Sequence, residues 1–284
     1  MEVVLVCGLL VLTGLVAAGW WGGTGVEVPS DGDDDPAALP SAGLVARRYV
    51  WYVTVAVVSG LGSGVLLAGA GGRLAMRLLA ATAGDAAQGR LTEADQAVGE
   101  ITVGGTIGFM VFTGLFFGGA SGALYLLVRR WLPHGRLGGV AFGGLLLVLL
   151  ASRTEPLRAD NPDFDIVGPS WLAVAVFAAL VMAHGMLVAA LAGRYSRSLP
   201  LISRRRRTIL GHGPLLLLGP MFPVVVPLAV IGLLSVGLSR LQRVVEVLRS
   251  RRFITFGRIA LIVIVMIALP SFLISVGDIL KSSA

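Results

Sequence analysis

The sequence predicts an all-α fold, a polytopic bundle of transmembrane helices with six to seven hydrophobic segments. Of its 284 residues, 56% are hydrophobic and only 14% are charged, whereas soluble domains carry about 25% charged residues. The apolar residues form long stretches, and arginines cluster in the short connectors between them, as in membrane proteins. A water-exposed surface of this composition would carry large apolar patches, so we expect hydrocarbon to surround the chain.

Seven apolar stretches supply the hydrophobic segments. They are residues 3–20, 49–71, 101–128, 137–151, 171–191, 214–238 and 259–276. Most reach the roughly 20 residues that a helix needs to cross a hydrocarbon core of about 30 Å. The fourth is short and spans only if Arg136 and Arg153 extend toward the two interfaces; a re-entrant segment is the alternative. No basic residue precedes the first stretch, which favours a retained segment over a cleaved signal peptide.

Composition divides the chain into four regions. They are a first transmembrane segment at residues 1–21, an acidic Gly/Pro-rich linker at 22–46, a bundle core of segments two to five at 47–193, and a final region at 194–284. The final region contains an Arg-rich loop, a proline-broken sixth segment, an amphipathic helix and the seventh segment. We expect the linker to be disordered, because Gly, Pro and acidic residues dominate it.

Arginine placement predicts the orientation in the membrane. Arg129, Arg130 and Arg136 crowd one short loop, and a second basic group lies at residues 194–207. Basic residues in short loops mark the cytoplasmic side, so both loops are predicted to be cytoplasmic and the N-terminus to lie outside. The predicted location is a multi-pass position in the plasma membrane of a bacterial cell.

The sixth segment is predicted to be broken or re-entrant. Residues 214–238 contain four prolines, and each one removes a helical hydrogen bond. A full crossing would place the following arginines outside, so re-entry to the cytoplasmic side is favoured over a kinked crossing. Residues 240–252 place apolar side chains at helical spacing among arginines. This spacing predicts a basic amphipathic interfacial helix on an anionic leaflet; a solvated loop helix is the alternative.

Glycine spacing predicts where helices pack. Gly60 and Gly64 lie four residues apart in the second segment, and Gly114, Gly118 and Gly122 repeat that spacing in the third. Residues four apart share a helix face, so each series forms a smooth groove that another backbone can approach. With a similar pair in the fourth segment, segments two, three and four are predicted to pack together. Homodimerisation through the same grooves is the alternative.

Two arginines directly after the second segment are candidate anion or headgroup-binding residues. Arg73 and Arg77 are four apart and face the same way. Two guanidinium groups on one face can bind a phosphate or carboxylate, from a lipid headgroup or a solute. The alternatives are interfacial anchoring and ion pairing with Glu93, Asp95 or Glu100.

Glu100 and His184 are the candidate polar partners near or within the membrane. An ionisable residue inside a membrane segment is a functional candidate, but His184 has no second ligand at metal spacing in its own segment. With Cys7 as the only cysteine, we expect no disulfide and no metal site. The sequence contains no nucleotide-binding or hydrolase motif, so no cofactor and no catalytic residue are assigned.

Three short runs give the sequence a family resemblance. They are GRLAMR at residues 72–77, GEIT at 99–102 and NPDF at 161–164. Set between apolar spans, these runs resemble those of uncharacterised multi-pass membrane proteins of actinobacteria, over residues 47–193. The resemblance implies a multi-pass topology and no particular activity.

Three hypotheses for function remain. The favoured one is a membrane scaffold or accessory subunit, which contacts the lipid bilayer and either a second copy or another membrane protein. The first alternative is a transporter or channel for a small solute, with an anion bound by Arg73 and Arg77. The second is a lipid-acting enzyme that uses Glu100 or His184 as acid or base, although a non-enzyme is favoured. Nucleic acid is not an expected partner, because the basic residues orient membrane segments.

Overall fold

The computed structural model describes residues 2–30, 41–93, 96–153, 156–203, 205–218, 222–238, 246–248 and 250–282. These residues form an all-helical bundle, and none of them belongs to a β-strand. Within them, five helices are long and apolar enough to cross a membrane. These five are Glu2–Trp21, Ala42–Thr82, Val103–Val128, Ser170–Ser198 and Arg251–Lys281. The predicted all-α fold class is confirmed, and the five long apolar helices are compatible with a membrane protein.

The helices follow the apolar segments closely. They are α1 (Glu2–Trp21), α2 (Ala42–Ser63), α3 (Ala70–Thr82), α4 (Val103–Thr113), α5 (Gly119–Val128), α6 (Arg136–Leu146), α7 (Ser170–Ser198), α8 (Arg206–Gly211), α9 (Phe222–Leu238) and α10 (Arg251–Ser282). Short π-helical stretches join α2 to α3 (Gly64–Gly69) and α4 to α5 (Gly114–Gly118), and a third extends α6 (Leu147–Ala151). The joined helices are therefore continuous rods.

Several helices extend beyond the predicted apolar stretches: the rod of the second stretch runs to Thr82, and the last helix spans Arg251–Ser282. The second helix begins at Ala42, inside the region predicted as linker, because Ser41 caps it by accepting a hydrogen bond from the N–H of Leu44 at 3.2 Å. The fourth segment forms a helix of only 16 residues, Arg136–Ala151, counting its π-helical end, which is shorter than the five spanning helices.

Thr102 caps the N-terminus of α4. Its hydroxyl accepts a hydrogen bond from the N–H of Gly105 at 3.1 Å. Thr102→Ala is expected to lower the free energy of unfolding by about 1 kcal/mol, because one N–H at the helix start loses its acceptor. Thr102→Ser keeps the hydroxyl and serves as the control. Thermal unfolding in detergent checks the prediction, and equal melting temperatures for the two variants would contradict it.

The arginine-rich connectors lie at one end of the bundle. There the guanidinium carbon of Arg194, near the end of α7, lies 5.7 Å from the ring centre of Trp21 at the end of α1. The indole N–H of Trp51 in α2 donates to the carbonyl of Leu199 at 2.7 Å. These contacts bring the end of α1, the start of α2 and the end of α7 to the same level.

The same end also receives α5, α6 and α10. Trp131, just after α5, stacks against Phe253 at the start of α10 with 6.2 Å between ring centres. The carboxylate of Glu27 pairs with Arg197 at 2.8 Å, which fastens the chain after α1 onto α7. We call this end of the molecule the basic end.

The opposite end is fastened by loops that carry acidic residues. The hydroxyl of Ser275 in α10 donates to the carbonyl of Leu157 at 2.8 Å. Arg158 binds the carboxylate of Glu93 at 2.6 Å, which joins the loop before α4 to the loop before α7. Because α10 contacts Trp131 at one end and Leu157 at the other, it runs the full length of the bundle.

Large apolar faces remain exposed on the outer helices. Leu9 in α1 is 65% exposed and Ile267 in α10 is 74% exposed. The interior is packed around residues such as Trp51, Phe142 and Val188, which are fully buried. A bundle with an apolar outside as well as an apolar core is the arrangement expected in lipid.

The sixth segment contains two helical pieces of different kinds. Residues Gly213–Leu218 form a 3₁₀ helix, and α9 follows from Phe222. The amphipathic helix predicted at residues 240–252 lies mostly outside the described residues. Residues 246–248 are helical, and the last two residues of the prediction, Arg251 and Arg252, open α10.

Candidate functional site

His184 lies at the midpoint of α7 and contacts two other helices through its ring. The hydroxyl oxygen of Ser63, the last residue of α2, lies 2.8 Å from Nδ1. The hydroxyl oxygen of Ser121 in α5 lies 2.8 Å from Nε2. All three side chains are buried, with His184 only 7% exposed. Both ring nitrogens are therefore satisfied, and the imidazole joins three helices; we call these three residues the His184 junction.

Each serine of the junction has a second partner on the backbone. Ser63 is positioned to donate to the carbonyl of His184 at 2.9 Å, and Ser121 to the carbonyl of Gly118 at 2.8 Å. Each hydroxyl has one hydrogen, so the serine that donates to the ring gives up its backbone bond. A neutral imidazole carries one N–H, so it donates to one serine and accepts from the other. Because a hydroxyl both donates and accepts, the junction can satisfy the ring in either tautomer.

The junction occupies the middle of the bundle. His184 is fourteen residues from each end of α7, which is about 21 Å of helix on either side. Arg73 follows Ser63 by ten residues, or about 15 Å, which is half the thickness of a hydrocarbon core. The imidazole therefore lies near the midplane if the helices span a bilayer, and Arg73 lies at its edge.

The two glycine series meet directly beside the junction. A Cβ added at Gly64 would lie 2.7 Å from the Cα of Gly114, and one added at Gly60 or Gly122 would collide with the backbone oxygen of Gly118 or Ala56. Real Cβ atoms do not approach backbone so closely. The rod of α2 and α3 and the rod of α4 and α5 thus touch backbone to backbone over three helical turns.

The glycines of the fourth segment pack elsewhere than predicted. A Cβ at Gly143 would lie 2.6 Å from the carbonyl oxygen of Met182, and one at Gly139 would lie 3.2 Å from the Cα of Met186. Both neighbours belong to α7. Glycine packing between segments therefore holds for segments two and three, whereas the fourth segment uses its glycines against the fifth. The fourth segment meets the third through Phe142, whose ring centre lies 5.1 Å from that of Tyr125, and shares a buried cluster with both segments.

Both π-helical stretches of the touching rods begin at the glycine contact. Gly64 and Gly114 are the first residues of these stretches, and Gly118 ends the second. A π-helical stretch inserts an extra residue into a helix and often marks a functional position. Ser63 directly precedes the first stretch, Ser121 follows the second by three residues, and both contact the ring of His184.

Arg73 and Arg77 lie at the edge of the bundle away from the basic end. Arg73 places its guanidinium carbon 5.5 Å from the ring centre of Phe109 and its Nε 3.4 Å from the hydroxyl of Thr106. Arg77 donates to the carbonyl of Gly99 at 2.9 Å. Within the described residues, neither arginine pairs with a carboxylate.

The described acidic residues that the sequence suggests as partners of Arg73 and Arg77 do not form ion pairs with them. Glu93 pairs with Arg158, and Asp95 lies outside the described residues. Glu100 is exposed, three residues before α4, whereas the junction residue Ser121 is twenty-one residues further along. The helical part of that interval is about 27 Å long, so Glu100 and His184 cannot act together as an acid and base pair.

Sequence reasoning singled out His184 but missed Ser63 and Ser121. Residue spacing within one segment can reveal only partners on the same helix, whereas both partners of His184 come from other helices. The sequence did contain a signal, because Ser63 precedes Gly64 and Ser121 precedes Gly122 on the predicted grooves. A hydroxyl beside a backbone contact is well placed to reach across it.

Comparison with known proteins identifies no relative. No family model matches the sequence, and neither a curated protein nor a solved structure is significantly similar to it.

Proposed function

We propose that the protein is a scaffold or accessory subunit of a bacterial plasma membrane. The observation that carries this proposal is the construction of the bundle centre. Backbone contact at the paired glycines and the buried His184 junction fill the middle of the bundle. Such a centre suits a rigid support. The outer helices, by contrast, offer wide apolar faces to lipid or to a membrane partner.

The proposed topology has six crossings and a re-entrant sixth segment, with the basic end in the cytoplasm. After α7 the chain stays at the basic end, where the carbonyl of Ile202 accepts a hydrogen bond from Arg47 at 2.8 Å. It returns at the same end, where α10 meets Trp131. The chain between α7 and α10 therefore begins and ends at the same level. This is consistent with an even number of membrane crossings in that part of the chain, or with none.

The position of α9 supports re-entry over a crossing and return. Gly232, in the second half of α9, lies against the ring of Tyr49, and the Tyr49 hydroxyl contacts the carbonyl of Leu228. Tyr49 precedes Ser63 by fourteen residues, which is about 21 Å of helix. Residues 228–232 of α9 thus lie at the level of the basic end. Positive charge at that end agrees with a cytoplasmic location.

Single cysteines on a Cys7→Ser background test the topology. Cysteines at exposed Ser198 and Arg251 should react with an impermeant maleimide from the cytoplasmic side only, in inverted vesicles. A cysteine at exposed Arg90 should react from the opposite side, in intact cells. Labelling of the Ser198 and Arg251 positions from different sides would reject the re-entrant sixth segment.

The scaffold proposal predicts a stable partner on the outer faces. Among the five long apolar helices, α10 is the least buried within the bundle. A photo-crosslinking amino acid at Ile267 should give a defined adduct of higher mass in cells. The same group at Ala268, which is 4% exposed, serves as the control and should give none. Monomer alone at both positions, together with monomer alone on native gels in mild detergent, would contradict the proposal.

Transport of a small anion is the second candidate function. One specific observation favours it: Arg73 and Arg77 lie together near the membrane edge, and no described carboxylate neutralises either one. If they bind the transported anion, Arg73→Ala with Arg77→Ala should abolish anion flux into liposomes. Flux that is unchanged in this variant would reject the assignment of the two arginines.

A further inference from the structure

We infer that a crevice at the basic end binds the phosphate group of an anionic phospholipid. The crevice has a volume of about 480 Å³ and lies between the chain that follows α1, the loop from α5 to α6, and the start of α10. This volume is within the range of about 300–1,000 Å³ that is typical of small-ligand sites. The site does not depend on the scaffold proposal, because it concerns a different surface and a different ligand.

Basic groups line one side of the crevice. Arg129, Arg130 and His134 are among its lining residues, and the described residues that line it include no aspartate or glutamate. Neither Arg130 nor His134 forms an ion pair with any described residue, and both are exposed. Positive charge without an opposing carboxylate favours an anionic ligand.

Contacts within the protein hold Arg129 in place but do not use all of its hydrogen-bond donors. Its guanidinium lies over the ring of Tyr52 at 5.4 Å, donates to the Tyr52 hydroxyl at 3.1 Å and reaches the carbonyl of Val26 at 3.4 Å. A guanidinium has five N–H donors, so three remain for a ligand. A preorganised arginine with free donors is well suited to a phosphate.

The N-terminus of α6 also lies at the crevice. Gly135 and Gly138 both line it, and no side chain caps this helix start. The N–H of Gly138 bonds to the carbonyl of Gly135 at 3.1 Å, so this helix end favours an anion through its positive dipole. Together with the three basic side chains, the dipole makes the crevice positive.

The apolar lining and the depth of the crevice indicate a lipid in preference to a free solute. Leu132, Leu248 and Ile254 are among its lining residues. Arg129 follows Ser121 by eight residues, which is about 12 Å of helix from the bundle midpoint and close to the edge of a hydrocarbon core. A second, smaller cavity of about 90 Å³ shares Tyr125 and Gly135 with the crevice and continues toward Met186 near the midpoint. A headgroup at the arginines would direct its acyl chains toward this apolar region.

Titration calorimetry on the purified full-length protein in neutral detergent tests the site. The probes are dihexanoyl phosphatidylglycerol, dihexanoyl phosphatidylcholine and inorganic phosphate. We expect the phosphatidylglycerol probe to bind more tightly than the other two. Arg129→Gln with Arg130→Gln should weaken its binding about 30-fold, equivalent to about 2 kcal/mol for two basic residues. Arg130→Gln with His134→Gln keeps the contacts of Arg129 and should also weaken binding, which guards against a folding defect.

Arg206→Gln with Arg207→Gln is the matched control. It removes the same charge as the first variant from exposed positions of the basic end that do not line the crevice. Binding in this variant should remain within about twofold of the original. Inorganic phosphate that binds as tightly as the lipid, with the same dependence on the crevice variants, would keep the phosphate site but assign it a soluble ligand. Absence of binding by all probes, or equal losses in crevice and control variants, would overturn the inference.

Discussion

Gly118→Ala is expected to destabilise the bundle by about 3 kcal/mol or more. A Cβ at this position would collide with the backbone oxygen of Gly60 and lie 3.0 Å from the Cα of Gly64. Backbone atoms of a helix cannot rotate out of the way as a side chain can, so the two rods must separate along their contact. Overpacking of this kind typically costs about 1–3 kcal/mol and costs more where backbone must move.

Gly108→Ala is the control for this prediction. Gly108 lies in α4, in the same continuous rod, and nothing outside its own helix lies within 4 Å of a Cβ added there. Because alanine is the better helix former, this change should be neutral or slightly stabilising. Thermal unfolding followed by size-exclusion chromatography in detergent compares the two. Equal melting temperatures would mean that the glycines do not hold the rods together.

The glycine prediction shows what a sequence pattern can and cannot specify. Residues four apart must share a face of any α-helix, so the groove on each segment followed from spacing alone. Spacing does not specify which helix packs against a groove, because a glycine groove on any helix can fit a glycine groove on any other. Gly139 and Gly143 therefore packed on the fifth segment instead of the second and third. Only the three-dimensional arrangement of the helices decides between such choices.

The polar residues show the same limit on what a sequence pattern can predict. His184 was recognisable because an imidazole stands out in an apolar segment, whereas Ser63 and Ser121 resemble the many hydroxyls that bond only to their own helix. Ser59 is one of these, with bonds to the carbonyls of Val55 and Ala56. The crevice at Arg129 also could not be predicted from the sequence, because the residues that line it come from four separate parts of the chain.

His184→Ala is expected to lower the free energy of unfolding by about 3 kcal/mol. The change removes hydrogen bonds to two other helices, each worth about 1 kcal/mol in a membrane bundle, and leaves a cavity at a fully packed position. It also leaves Ser63 and Ser121 with only their backbone partners. Thermal unfolding in detergent provides the measurement, as for the glycine variants.

A comparison of two serines distinguishes the stability contributed by the His184 junction from the effect of removing any buried hydroxyl. Ser63→Ala should cost about 1 kcal/mol, while Ser59→Ala, one turn earlier in the same helix and equally buried, should cost little because its bonds stay within α2. In the His184→Ala background the cost of Ser63→Ala should become smaller, since the contact with the imidazole is already lost and only the bond to the carbonyl of residue 184 remains. Additive costs in the double variant would show that histidine and serine stabilise the bundle independently.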